Sequence, residues 1–408
     1  MPIQQALSFV ILLSLGAFGF WLHGEPGGRV GSFALVSGLA LGIVMQRSRF
    51  CFYCHLKDYL QAGKPHGVLA LLLAIAVGLV GYTVVLGSWL PEPAPGNLPP
   101  DIHIGPVSWA LAAAGLAFGS GMSISGSCIS AHWYRLAEGS PRSPFALLGV
   151  VAGFVLGFKS WNGLYSLSVA DAPVLWLPAY LGYAGALLLQ LAVLALIAAG
   201  VWRGFARRNG SNEVPAGERL ANARETPSLA QIWRRLWRER WAWWTGGLMV
   251  GLIGALVIVR MNPLGATAPL AALARGLAAR QGWIPEKLHG LDGFAGCASL
   301  PQDGWFTPEI LLLAGLVGGA FAAVLMGGQF ACRRPRWNDV ARGLGGGVLL
   351  GWGAMTGLGC TIGTLLSGTQ AGAVSGWVFG TAMLIAIVIG RQKFAGAKRP
   401  VTELSSDP

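Results

Sequence analysis

Charge is what this chain has least of. Lysine, arginine, aspartate and glutamate make up 11% of its 408 residues, where soluble domains carry about 25%. That excludes a water-soluble globular protein. Carboxylates are the rarest, 17 against 29 basic residues, so little is available for a proton relay at membrane depth. Asp171 and Asp292 fall in expected loops, and Glu138 follows a cysteine motif. No G-x-x-x-x-G-K-[ST] stretch occurs, which excludes nucleotide hydrolysis by a P-loop. The six cysteines supply one C-x-x-C pair, whereas a structural zinc site commonly draws on two such pairs. No βαβ pattern surrounds that pair, as a thioredoxin-like redox unit would require. The amino-terminal MPIQQ lacks basic residues, and no small-x-small site follows FGFWLHGEP, so the first apolar run reads as a retained helix.

Apolar runs fill the space that charge leaves. The chain is 54% hydrophobic, with 61 glycines and a mean hydropathy of +0.57. Runs near 6–22, 30–46, 67–90, 108–127, 145–158, 178–202, 242–260, 309–326, 342–360 and 373–390 approach the roughly 20 residues that cross a bilayer core. Backbone groups facing lipid must bond within their own helix, so the class is an all-α polytopic membrane protein of about nine or ten spans. The net charge of +12 then belongs to loops and sets orientation; it is no sign of a nucleic-acid partner. Arginines crowd 203–241, recur at Arg333, Arg334, Arg336 and Arg342, and return in the tail 391–408. The positive-inside rule places all three in the cytoplasm and 91–103 and 261–308 outside. "WRRLWRERWAWW" (233–244) reads as Trp and Arg anchored at the lipid interface rather than as a partner-binding helix.

A repeat lies among the glycines. "GLAFGSGMSISGSCISA" (115–131) aligns with "GVLLGWGAMTGLGCTIG" (347–363), matching Gly119 with Gly351, Gly121 with Gly353 and Cys128 with Cys360. "GLALGIVMQRSRFC" (38–51) aligns with "GAFAAVLMGGQFAC" (319–332), matching Cys51 with Cys332. The expected organisation is an N-terminal helix (1–29), a first half (30–202) with an additional span near 67–90, and the basic loop 203–241. A helix with an outer loop (242–308), a second half (309–390) and a tail (391–408) complete it. Arg135 and Arg142 follow Cys128, whereas no charge follows Cys360 for many residues. This suggests that the two copies face opposite sides. Paired Gly-interrupted helices point to a transport site at mid-depth, and Gly119, Gly121, Gly126, Gly351, Gly353, Gly357 and Gly359 are the candidate break positions. Close helix packing explains such glycines equally.

"RFCFYCHLK" (49–57) raises a competing chemistry, since C-x-x-C-H is the attachment signal of a c-type haem. Cys332 has neither a second cysteine nor a histidine after it, and the surrounding basic residues place the segment inside. No cofactor is therefore expected. Cys51 and Cys54 remain open as a thiol–disulfide pair. Otherwise the aligned cysteines line one path, where neutral thiols can donate weakly to a soft, sulfur-bearing anion without charge repulsion. Cys297 has no aligned partner and reads as incidental.

"MQRSRFCF" (45–52), "GSGMSISGSCISAHWYRLAEG" (119–139) and "GWGAMTGLGCTIGTLLSG" (351–368) resemble the sulfur-transport repeat of the YeeE/YedE family. The resemblance spans both halves and is weak over 203–308. It implies an hourglass-shaped helical protein of the bacterial inner membrane, with re-entrant segments, importing thiosulfate or a related sulfur or selenium compound. It also implies substrate contacts at Cys128, Cys332 and Cys360, with Cys51 at the corresponding end of its helix. A small cytoplasmic sulfur carrier or rhodanese-like protein is the implied partner. On this reading Arg49 attracts the anion at the exit or serves the positive-inside bias, and Cys54 and His55 are incidental.

Overall fold

The computed structural model of the protein describes residues 3–209, 229–294 and 306–394. Cys297, the middle of the basic loop and most of the tail lie outside those residues. Every named element among the described residues is helical, and the only strand pairing there is two isolated bridges, Ala94 with Asn97 and Trp176 with Ala373. In chain order the helices are α1 (Ile3–Gly24), α2 (Gly28–Ser48), α3 (Phe52–Ala62), α4 (His66–Trp89), α5 (Trp109–Ser125) and α6 (Ile129–Ala137). There follow α7 (Ser143–Leu164), α8 (Leu177–Asn209), α9 (Leu229–Trp237), α10 (Trp243–Val257) and α11 (Ala268–Arg280). The last are α12 (Pro308–Gly327), α13 (Trp337–Thr356), α14 (a π-helical turn Thr361–Ser367 continued by Gly368–Gln370) and α15 (Val374–Phe394).

Among the described residues, seven helices are long and apolar enough to cross a membrane: α1, α2 with α3, α4, α5 with α6, α7, α8 and α12. An eighth span forms if α13 and α14, bent by 45° at their break, are taken together. Shorter apolar helices, α10 and α15, occupy the remaining expected positions. Helices α9 and α11 were not expected: they lie inside the segments read as the basic loop and as an outer loop.

Glycine sets how the helices meet. A Cβ on Gly121 of α5 would lie 2.7 Å from the Gly346 oxygen of α13, and one on Gly353 would lie 2.7 Å from Ala114 O. These contacts run in opposite directions along the two chains, so α5 and α13 are antiparallel. Other pairs run the same way. Gly38 and Gly42 of α2 press on Leu312 and Leu316 of α12, and Gly247 and Gly251 of α10 on Ala70 and Ala74 of α4. Gly149 and Gly153 of α7 meet Leu344 and Val348 of α13, while Gly115 and Gly119 of α5 meet Phe379 and Met383 of α15. Where no apolar force separates helix from lipid, such close backbone approach is the main source of association.

The parallel course of α2 and α12 corrects one expectation. An operation that turns α5 into the opposed α13 must also reverse α2, so it cannot carry α2 onto α12. The alignment of Cys51 with Cys332 therefore does not describe the same symmetry as that of Cys128 with Cys360. Among the described residues, Arg29, Lys159 and Arg260 lie toward one end, whereas Arg47, Arg49, Arg135, Arg142, Arg240 and Arg342 gather at the other. The C-termini of α2, α5, α8, α12 and α15 lie there with the N-termini of α4, α7, α10 and α13. Contacts between Arg47 and Glu239 O, Tyr59 and Val201 O, and Gly390 and Ser123 join these ends.

Candidate functional site

Three cysteines occupy the same local structure. α2 stops at Arg49, whose left-handed backbone (φ 52) ends the helix, and Cys51 then caps the N-terminus of α3. α5 stops at Gly126 (φ 86), and Cys128 caps α6. α13 stops before Leu358 (φ 56) and Gly359, and Cys360 caps α14. Each thiol thus sits where a helix begins afresh inside the protein, beside backbone N–H groups without an intrahelical partner. A helix start of this kind carries partial positive charge and favours anions.

All three cysteines are fully buried. Cys51 Sγ and Cys128 Sγ lie 3.8 Å apart, a thiol contact and not a disulfide. Cys128 Sγ also lies 3.3 Å from Ser130 Oγ, and the Cys54 amide donates to Cys51 Sγ at 3.5 Å. α6 packs directly on α14. The start of α11 joins the same cluster, because Trp133 of α6 donates to Ala266 O at 3.2 Å and Ser367 of α14 to Leu264 O at 3.4 Å. Thr267, the residue before α11, is completely buried and its hydroxyl has no partner. Four short helices thus have Cys51, Cys128, Thr267 and Cys360 at their N-cap positions, of which Cys51 accepts a capping bond from a backbone amide. Sequence reasoning missed Thr267, although Thr-Ala-Pro is a recognisable helix start, with proline in the first turn.

Cys332 is placed differently. It is exposed in an extended stretch between α12 and α13, against Gly139. The candidate glycines also divide. Gly119, Gly121, Gly351 and Gly353 lie within helices and are packing residues, whereas Gly126, Gly357 and Gly359 lie in the breaks. At Gly126 the positive φ is what glycine permits without strain.

A cavity of about 670 Å³ opens at the arginine-rich end. Arg49, Lys57, Lys64, Arg135, Arg142, Arg240 and Arg342 line it, with Asp58 as the one acidic lining residue. Cys54 and His55 line it too, so the C-x-x-C-H stretch faces the site. Cys54 Sγ accepts a hydrogen bond from Arg135 Nη2 at 3.1 Å. His55 packs against Gly67 and, edge-on, against Phe50. Burial pulls the Arg240 guanidinium somewhat below its ordinary value. At the opposite ends of α5 and α13 lies a recess of about 10 Å³, lined by His103, Ser108, Gly357, Leu358 and Thr364 among others. That is about the space for one water. No group of three or more histidine, cysteine or carboxylate side chains that could hold a metal occurs among the described residues.

Residues 47–389 match the profile of a family described as Sulphur transport. The thiosulfate transporter TsuA of Spirochaeta thermophila is 26% identical, over 84% of this chain and 93% of its own. The TsuA protein of Escherichia coli is 27% identical, over 84% and 89% respectively. The probable transporter YedE of Escherichia coli is 28% identical over a shorter stretch, 32% of this chain and 30% of its own. These are membrane transporters and not enzymes. A polytopic helical protein with interrupted helices, matched across nearly all its described length, belongs to the sulphur transport (YeeE/YedE) family.

Proposed function

We propose that the protein imports thiosulfate, or a similar sulfur-bearing anion, across the bacterial inner membrane through a path lined by Cys51, Cys128 and Cys360. The carrying observation is that each of these thiols caps a buried helix start, and that the two on the basic side touch. Helix starts attract the anion's charge. The thiols offer its outer sulfur weak S–H donors and a soft contact surface. Cys332, exposed at the basic end, is left out of this path. The basic end, with the arginine-rich connection and the tail, faces the cytoplasm by the positive-inside rule. A cytoplasmic sulfur carrier or rhodanese-like protein is a fitting recipient there.

The path lies between two inverted halves, with α2 to α7 corresponding in order to α10 to α15. Packing in exchanged pairs supports this: α2 on α12 answers α4 on α10, and α7 on α13 answers α5 on α15. In this register Cys128 keeps Cys360 as its counterpart, while Cys51 corresponds to Thr267, and α4 corresponds to α12 rather than being an insertion.

Uptake of thiosulfate labelled in its outer sulfur tests the proposal, in cells lacking their own sulfate and thiosulfate importers. Cys51→Ala, Cys128→Ala and Cys360→Ala should each abolish uptake at equal membrane abundance, and Cys332→Ala should retain it. A wild type that moves no thiosulfate rejects that substrate. Full uptake by Cys128→Ala rejects the path.

A further inference from the structure

The end of α5 presents an electrostatic problem for any anion that passes Cys128. A helix C-terminus leaves carbonyl oxygens without intrahelical donors and carries about half a negative charge. Here that end points into the basic cavity, directly beside the thiol pair. Three arginines from three different elements close on it. Arg342 Nε of α13 donates to Ile124 O at 3.1 Å, Arg142 Nη1 to Ser125 O at 3.3 Å, and Arg135 Nη1 of α6 to Gly126 O at 3.4 Å. Three successive carbonyls are thus each met by a guanidinium, which sets positive charge against the partial negative charge of the helix end.

The three are not equivalent. Arg142 also forms an ion pair with Asp339 at 2.8 Å, so part of its charge is compensated. Arg135 turns its second nitrogen to Cys54 Sγ, which in turn sits next to Cys51 through the Cys54 amide. All three arginines and Cys54 line the cavity. Sulfur therefore continues from Cys128 to Cys51 and on to Cys54, where it meets guanidinium.

We infer that this corner of the cavity is a second anion site, in which Arg135 and Arg342 hold the oxygens of a sulfur oxyanion and Cys54 faces its terminal sulfur. The inference rests on the cysteine path proposed above and adds the station that receives the anion after it. Guanidinium is suited to the planar, bidentate recognition of oxyanions. Arginine alone would hold sulfate as well as thiosulfate, and Cys54 is the element that separates them, since a thiol matches a soft sulfur better than an oxygen. The assignment overturns the sequence-based reading of Cys54 as incidental, and it differs from a redox pair because no electrons move.

Equilibrium binding of labelled thiosulfate to the purified full-length protein in lipid nanodiscs, with unlabelled sulfate as competitor, tests the site. Cys128→Ala should abolish transport yet keep saturable binding. Arg342→Gln should raise Kd about tenfold for both anions, with Arg342→Lys intermediate. Cys54→Ser should fold normally and lower the preference for thiosulfate over sulfate, while transport persists at a reduced rate. An unchanged preference in Cys54→Ser, or loss of all binding in Cys128→Ala, overturns the second site. Complete loss of transport in Cys54→Ser, with binding intact, overturns it in favour of a redox pair. If Cys128→Ala still transports while Cys54→Ser loses selectivity, the path fails and the second site stands.

Discussion

Cys54 shows where sequence stops being informative about a side chain. Along the chain its neighbours are Cys51 and His55, and that spacing suggests haem or redox chemistry. In space its partner is Arg135, 81 residues away, and that pairing suggests an anion. Cys128 and Cys360 were legible because a local pattern, glycine spacing ahead of a cysteine, marks the break in each helix. Thr267 carries a legible cap signal but no cysteine, so nothing tied it to the other three. His103 shows a similar dependence on tertiary contact. Burial under α14 pushes its imidazole down to about 4, whereas an unfolded chain would protonate it near 6.5. The folded state thus holds it neutral. Its stabilising contribution is complete above about pH 6.5 and declines as pH falls toward 4, where the unfolded chain binds the additional proton. His103→Gln should flatten the fall of Tm across that window in detergent-solubilised protein. An unchanged slope would assign the acid sensitivity to other groups.

Helices were legible as elements, and their partners were not. Apolar length marks a span without naming what it touches, and glycine serves packing and unwinding alike. The structure separates the two uses by position, since Gly351 faces the Val150 carbonyl of α7 while Gly345, on the same helix, has nothing within 4 Å of a Cβ. Gly351→Val should therefore drive α7 and α13 apart and lower stability by about 1–3 kcal/mol or more. Gly345→Ala should be neutral or stabilising by up to about 1 kcal/mol through helix propensity. Thermal unfolding in detergent measures both, and equal Tm values for the two variants would refute the assignment of Gly351 to close packing. The alignment of α2 with α12 has the same origin. Two glycine-containing helices that end at one face look alike in sequence, and only their shared direction shows that an operation inverting α5 onto α13 does not relate them.

For the whole molecule, charge was the most transferable signal, because the number of cations near a helix end does not depend on which helix is its neighbour. Arg49, Arg135, Arg142, Arg240 and Arg342 come from separate segments, yet they converge on one cavity. This convergence gives one end a wide basic mouth of about 670 Å³. On the proposed function, a cytoplasmic basic mouth would hold incoming anion near the machinery that consumes it. Sidedness is directly measurable at Cys332, which is exposed at the basic end. In a Cys297→Ser background, a membrane-impermeant maleimide should label Cys332 in inside-out vesicles and leave it unlabelled in intact spheroplasts, until detergent is added. Labelling in spheroplasts alone would reverse the orientation. The basic cavity would then be an entry funnel collecting anions from outside, and Arg135, Arg342 and Cys54 would be the first station on the path and not the last.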